Sequence, residues 1–118
     1  NPFISIAPNL KLPGLKKAIE SSRTPVIAVS PIVGGKALKG PTAKMLKELC
    51  LKPNASSIAQ HYGEMLDGFV IDTKDQRLEN QIRGKGHKVL VTQTIMKSLD
   101  DKVSLANDIL DFAAEISL

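Results

Sequence analysis

The sequence predicts an α/β protein, a doubly wound parallel sheet of about four strands forming one domain over residues 1–118. Two observations carry that expectation. Short β-branched runs alternate with segments of helical apolar period, the pattern of right-handed crossovers between parallel strands. The clearest run, Val26-Ile27-Ala28-Val29, is apolar on both faces, as a strand covered on both sides must be. A chain of 118 residues, 42% apolar and 24% charged, has room for one core and not two.

The elements follow in order. Phe3-Ile4-Ser5-Ile6-Ala7 reads as the first strand, closed by Pro8 and Asn9. Pro13 suits the first position of a helix with Leu15, Ala18 and Ile19 on one face. Pro25 opens the second strand, Val26 to Ser30, and a glycine-rich connection runs from Pro31 to Gly40. Pro41 starts a helix with Ala43, Leu46, Leu49 and Cys50 inward and Lys44, Lys47 and Glu48 outward. Pro53 breaks it, and Asn54 caps a second helix carrying Ala55, Ile58, Ala59 and Tyr62, ended by Gly63. Phe69-Val70-Ile71 is the third strand, ending at Asp72. Residues 75–83 form a helix with Leu78 and Ile82 inward and a Glu79–Arg83 pair outward, punctuated by Gly84 and Gly86. Lys88 to Thr92 is the fourth strand. Ser98 and Asp101 make a capping box for a last helix reaching Ile116, with Val103, Ala106, Leu110, Ala113 and Ala114 inward.

Composition excludes several functions. With no Trp, one Tyr and three Phe, the chain has no stacking platform for single-stranded nucleic acid, so no nucleic-acid partner is expected. No apolar run approaches the ~18 residues of a membrane helix, so no membrane partner is expected either. The single Cys50 rules out an internal disulfide and a cysteine-only zinc site, fits a cytoplasmic location, and reads as a buried, inert thiol. His61 and His87 have no Asp, Glu or Cys at ligand spacing. No nucleophile stands beside a base.

Charge is localised. Lys and Arg total 16 against 12 acids, a net +4, and the block from Pro31 to Lys52 supplies all of it through Lys36, Lys39, Lys44, Lys47 and Lys52 against Glu48. Such a block attracts phosphates, or it is simply a solvated, lysine-rich face.

In an open parallel sheet ligands bind beyond the carboxyl ends of the strands. Ser30-Pro31-Ile32-Val33-Gly34-Gly35-Lys36-Ala37-Leu38-Lys39-Gly40-Pro41 falls there. Glycines let backbone N–H groups approach a phosphate, and a lysine adds countercharge. The run is neither a Walker A loop nor a dinucleotide fingerprint, and the bland alternative is a surface turn with incidental lysines. Asp72, at the end of its strand, is a candidate to coordinate Mg²⁺ or to accept from a ribose hydroxyl, with helix capping as the alternative.

The same run resembles the 2-phospho-L-lactate transferase family of coenzyme F420 biosynthesis, which carries a very similar Ser-Pro-Ile-x-Gly-Gly-Lys-Ala-x-Lys-Gly-Pro segment. The likeness extends through Asn1-Pro2-Phe3-Ile4-Ser5-Ile6, Leu12-Pro13-Gly14, His61-Tyr62-Gly63, Leu66 to Asp72, Leu90 to Thr94 and Leu99-Asp100-Asp101. Ala7 departs from it, standing where the family has Gly, as does Asn9-Leu10 after Pro8. The resemblance implies a Rossmann-like fold and a chain that is the C-terminal part of a longer enzyme, inactive without the rest. It implies transfer of a 2-phospholactyl group from lactyl-2-diphospho-5′-guanosine to the deazaflavin Fo, giving F420-0 and GMP with Mg²⁺ assisting. By motif position Lys36 and Lys39 would face the guanosine diphosphate, Gly34 and Gly35 would offer amides, and Asn1, Ser30 and Pro31 would complete the contacts. A homodimer is the expected assembly. The alternative is a non-catalytic nucleotide-binding or regulatory module on the same fold.

Overall fold

The computed structural model describes residues 1–117. Its centre is a parallel sheet of three strands, β1 (Ile27–Val29), β4 (Gly68–Asp72) and β5 (Lys88–Thr92), in the order β1-β4-β5. Val29 pairs with Val70, and Asp72 with Thr92. A separate antiparallel hairpin, β2 (Ile32–Val33) and β3 (Lys36–Ala37), leaves the carboxyl end of β1.

Period-two alternation along β4 builds both layers. Phe69 and Ile71 face one core with Ile32, Leu46, Ile58, Leu78 and Ile82, supplied by the hairpin, α3 (Thr42–Glu48), α4 (Ala55–Tyr62), a 3₁₀ segment (Thr73–Leu78) and α5 (Glu79–Arg83). Val70 faces the other core, against Leu105 and Phe112 of α6 (Leu99–Ile116). A parallel sheet covered on both faces is the expected fold class. Gly68 is what lets α6 lie so close, because a Cβ there would stand 2.7 Å from Cε1 of Phe112.

Four expectations are corrected. Residues 3–7 are not a strand: they lie in a π-helical turn (Pro2–Ile6) that leads into α1 (Ala7–Leu10). Asn1 causes this, its Oδ1 accepting from Phe3 N at 2.8 Å and Ile4 N at 3.1 Å, with Pro2 preset for the first helical position. The apolar alternation of Ile4 and Ile6 pairs with nothing, and both are exposed. Without that neighbour β1 is an edge strand, and Val29 is 37% exposed rather than covered on both faces.

The Pro31–Gly40 connection holds the hairpin, with Gly34 at φ 59° and Gly35 at φ 82°. Positive φ at both central residues is what a two-residue hairpin turn of type I′ demands, so the glycines first of all serve the turn. Cys50 is exposed, not buried: α3 ends at Glu48 and Cys50 takes a left-handed φ of 59° beyond it.

On α6 the expected face is rotated. Val103 and Leu110 are exposed, at 49% and 67%, and Ala106 and Ala114 are exposed with them. The sheet instead takes Leu105, Ile109, Phe112 and Ile116. The helix carries two apolar stripes, and the one with the aromatic ring has more area to bury.

The remaining helices stand close to expectation. α2 (Leu15–Ser21) starts after Gly14, and residues 75–83 are divided between the 3₁₀ segment and α5. Asn54 caps α4 by accepting from Ser57 N at 3.0 Å, and Ser98 caps α6 by accepting from Asp101 N at 3.2 Å. Glu79 and Arg83 pair at 2.9 Å.

Candidate functional site

Ser30 follows β1, and Asp72 and Thr92 end β4 and β5 as a pair; the segments leaving these carboxyl ends build the site. Ser30 is buried and turns the chain into the hairpin. Its hydroxyl donates to Ile32 O at 3.0 Å and accepts from Ile32 N at 3.1 Å. That bonding gives the hydroxyl a local role, not an outward one.

The hairpin tip is anchored by a segment distant in sequence but packed in the same layer. Gly34 N donates to both carboxylate oxygens of Asp75, at 3.2 and 3.1 Å, and Asp75 is buried on the 3₁₀ segment after β4. The Gly34 amide is therefore committed inside the fold, which removes it as an amide for a ligand. Gly35 N has no partner among the described residues. Lys36 and Lys39 are exposed, and among the described residues neither ammonium is paired with a carboxylate. Lys36 on β3 and Lys39, two residues past that strand, are thus two free cations on and beside the anchored hairpin.

Asn1 lies apart from them. Its Oδ1 is spent on the cap and its Nδ2 lies 3.6 Å from Sδ of Met45. Asn1 and Pro31 come together in an apolar groove of about 370 Å³ that runs along the open edge of β1 with Pro2, Ile19 and Tyr62. The structure therefore brings Asn1 and Pro31 to one place and Gly35, Lys36 and Lys39 to another.

Asp72 is a structural tie. Oδ2 accepts from Lys74 N at 2.9 Å and from the Thr73 hydroxyl at 3.4 Å; Oδ1 accepts from Thr94 N at 2.9 Å and the Thr94 hydroxyl at 3.2 Å. Burial by itself would raise its pKa, but the bonds from Lys74 N, Thr94 N and the two threonine hydroxyls outweigh it and hold the carboxyl below the ordinary carboxylate range. With four donors on two oxygens it has little capacity left for a metal. No group of three His, Cys, Asp or Glu poised for a metal occurs among the described residues, and Mg²⁺ is commonly held through one or two carboxylates together with substrate phosphates.

One feature of this edge escaped sequence reasoning. Thr73, Lys74, Gln93, Ile95 and Lys97 line a cleft of about 230 Å³ above Asp72. Its signal in the sequence is position alone: these residues directly follow the third and fourth predicted strands. A larger cavity, about 750 Å³, lies at the amino ends of β4 and β5 around Gln60, Lys85, His87 and Lys88. It is on the side of a parallel sheet where ligands are not ordinarily held.

A two-faced parallel sheet with free lysines on and beside a hairpin at its carboxyl edge defines the class: a Rossmann-like α/β protein with a cationic carboxyl edge. Within that class, the chain belongs to the 2-phospho-L-lactate transferase CofD family, which it matches over residues 1–108. It is 39% identical over 116 residues to the 2-phospho-L-lactate transferase of Methanocaldococcus jannaschii, a match covering 98% of this chain and 36% of the relative. It is 35% identical over 116 residues to the 2-phospho-L-lactate transferase of Methanococcoides burtonii, covering 98% and 37%. It is 33% identical over 117 residues to the phosphoenolpyruvate transferase of Streptomyces coelicolor, again covering 98% and 37%. The chain spans little more than a third of the length of these relatives. Among the described residues no helix is long and apolar enough to cross a membrane.

Proposed function

We propose that the polypeptide to which this chain belongs is a cytoplasmic transferase of coenzyme F420 biosynthesis, moving a 2-phospholactyl group from lactyl-2-diphospho-5′-guanosine to the deazaflavin Fo. The hydroxyl of Fo attacks the phosphorus that bears the lactyl group. A new P–O bond forms, the P–O bond to GMP breaks, the hydroxyl proton is released, and F420-0 and GMP result. No covalent enzyme intermediate is needed, so positioning and positive charge supply most of the catalysis.

The observation that carries this reading is the pair of free ammonium groups at the carboxyl edge, Lys36 on the anchored hairpin and Lys39 just past it. They would neutralise charge building on the bridging and equatorial oxygens, with Gly35 N as a backbone donor. Mg²⁺ bound with the donor's diphosphate would supply further countercharge, while Asp72 serves the fold. A homodimer is part of the same proposal.

The test is transfer by the full-length protein. Lys36→Ala should lower kcat/KM at least about tenfold, the loss expected of one charge-assisted contact. An unchanged ratio removes Lys36 from the site. Thermal shift separates the alternative: stabilisation by both GDP and Fo supports the transferase, and stabilisation by nucleotide alone favours a non-catalytic nucleotide-binding module.

A further inference from the structure

We infer that the cleft between the ends of β4 and β5 binds the carboxylate of the transferred group, with Lys74 and Lys97 as its cations. This rests on the transferase reading above and deepens it. The names of the relatives set the chemistry: 2-phospho-L-lactate and phosphoenolpyruvate both join a phosphate to a carboxylate on a small carbon unit. A site for such a group needs two anion-binding places close together, and the hairpin lysines provide only one.

The second place lies on the same short segment. The 3₁₀ segment Thr73–Leu78 meets the hairpin through Asp75, whose carboxylate takes the Gly34 amide. Lys74, the residue before Asp75, lines the cleft. Hairpin tip and cleft are thus tied to consecutive residues of one segment, Asp75 and Lys74. At about 230 Å³ the cleft falls below the ~300–1,000 Å³ of pockets for drug-sized ligands and suits a carboxylate on a small carbon stub.

Its electrostatics fit an anion. Among the described residues neither Lys74 nor Lys97 forms an ion pair. Two acids lie near. Asp72 forms the floor, with both oxygens saturated by four donors, and Asp101 accepts from Lys97 N at 2.9 Å. Gln93 and Thr73 add polar groups to the walls, and Ile95 offers apolar contact for the carbon unit.

The experiment compares two donors on the full-length protein: the carboxylate-bearing donor and the same molecule with that carboxylate converted to a carboxamide. Lys74→Ala/Lys97→Ala should lower kcat/KM for the carboxylate donor by about 100-fold and leave the carboxamide donor within about twofold, with Lys74→Arg/Lys97→Arg restoring most of the loss. An equal fall for both donors, or no fall for either, overturns the assignment while transfer itself stands. Amide NMR shifts on titration with phosphoenolpyruvate give an independent readout. Shifts at Thr73, Lys74, Gln93 and Lys97 that vanish in the double variant support the cleft even where transfer by wild type fails, which sinks the transferase reading instead. Absence of those shifts in wild type counts against the cleft.

Discussion

β4 and β1 are built from similar residues and end up in different states. Every residue of β4 is buried, it has a strand on each side, and its last residue pairs with Thr92 of β5 and accepts from Thr94 just beyond that strand. β1 is three residues long, has one neighbour, and leaves Val29 partly in water beside an open apolar groove. What separates them is not β-propensity alone, since Ile-Ala-Val of β1 and Gly-Phe-Val-Ile-Asp of β4 both mix good strand formers with poor ones. The number of partners decides. A five-residue apolar run with no partner, Phe3–Ala7, goes one step further and becomes helical once Asn1 caps it. Strand formation in this molecule is a tertiary outcome.

That contrast can be broken at graded cost. The largest effect should come from Asp72→Ala, which strips four hydrogen-bond donors at the β4–β5 end of their acceptor, two of them on the buried Thr94. A loss of about 3 kcal/mol in urea unfolding is expected. The same carboxyl gives a pH signature. Its folded pKa is depressed, so its contribution is complete above the unfolded aspartate pKa of about 3.9 and drains away as pH falls through the lower folded value. Asp72→Asn should flatten that part of the stability–pH curve.

Next in size is Gly68→Ala. The added methyl meets the Phe112 ring at 2.7 Å, so α6 or the ring must shift, at a cost of about 2 kcal/mol seen as a lowered midpoint in thermal unfolding. The smallest effect belongs to the other side of the comparison. Asn1→Ala should cost about 1 kcal/mol and release amide protection in residues 3–6 without touching β4 or β5 in hydrogen exchange. Loss of protection in β4 would show that the two regions are not independent.

The sequence made legible what local chemistry determines. The runs at Phe69–Ile71 and Lys88–Thr92 and the caps at Asn54 and Ser98 are each readable within a few residues. What it hid depends on distant partners. Gly34 meets Asp75, which is 41 positions away, so the commitment of that amide has no local sign. Two-residue strands such as β2 and β3 are too short to carry a period. On α6 two apolar stripes compete, and only the shape of the sheet chooses between them. For the site, the exposure of Lys36 and Lys39 followed from the pattern, while the Lys74–Lys97 cleft required knowing that β4 and β5 are neighbours.

The central claim is that the hairpin held by Asp75, with the residues just past it, carries cations for a diphosphate. Calorimetric titration of GDP onto the full-length protein, with and without Lys36→Ala/Lys39→Ala, tests it most directly. The account predicts that the dissociation constant rises by at least about 100-fold in the double variant, tenfold for each lost contact. An affinity for GDP that is the same in both proteins would contradict it.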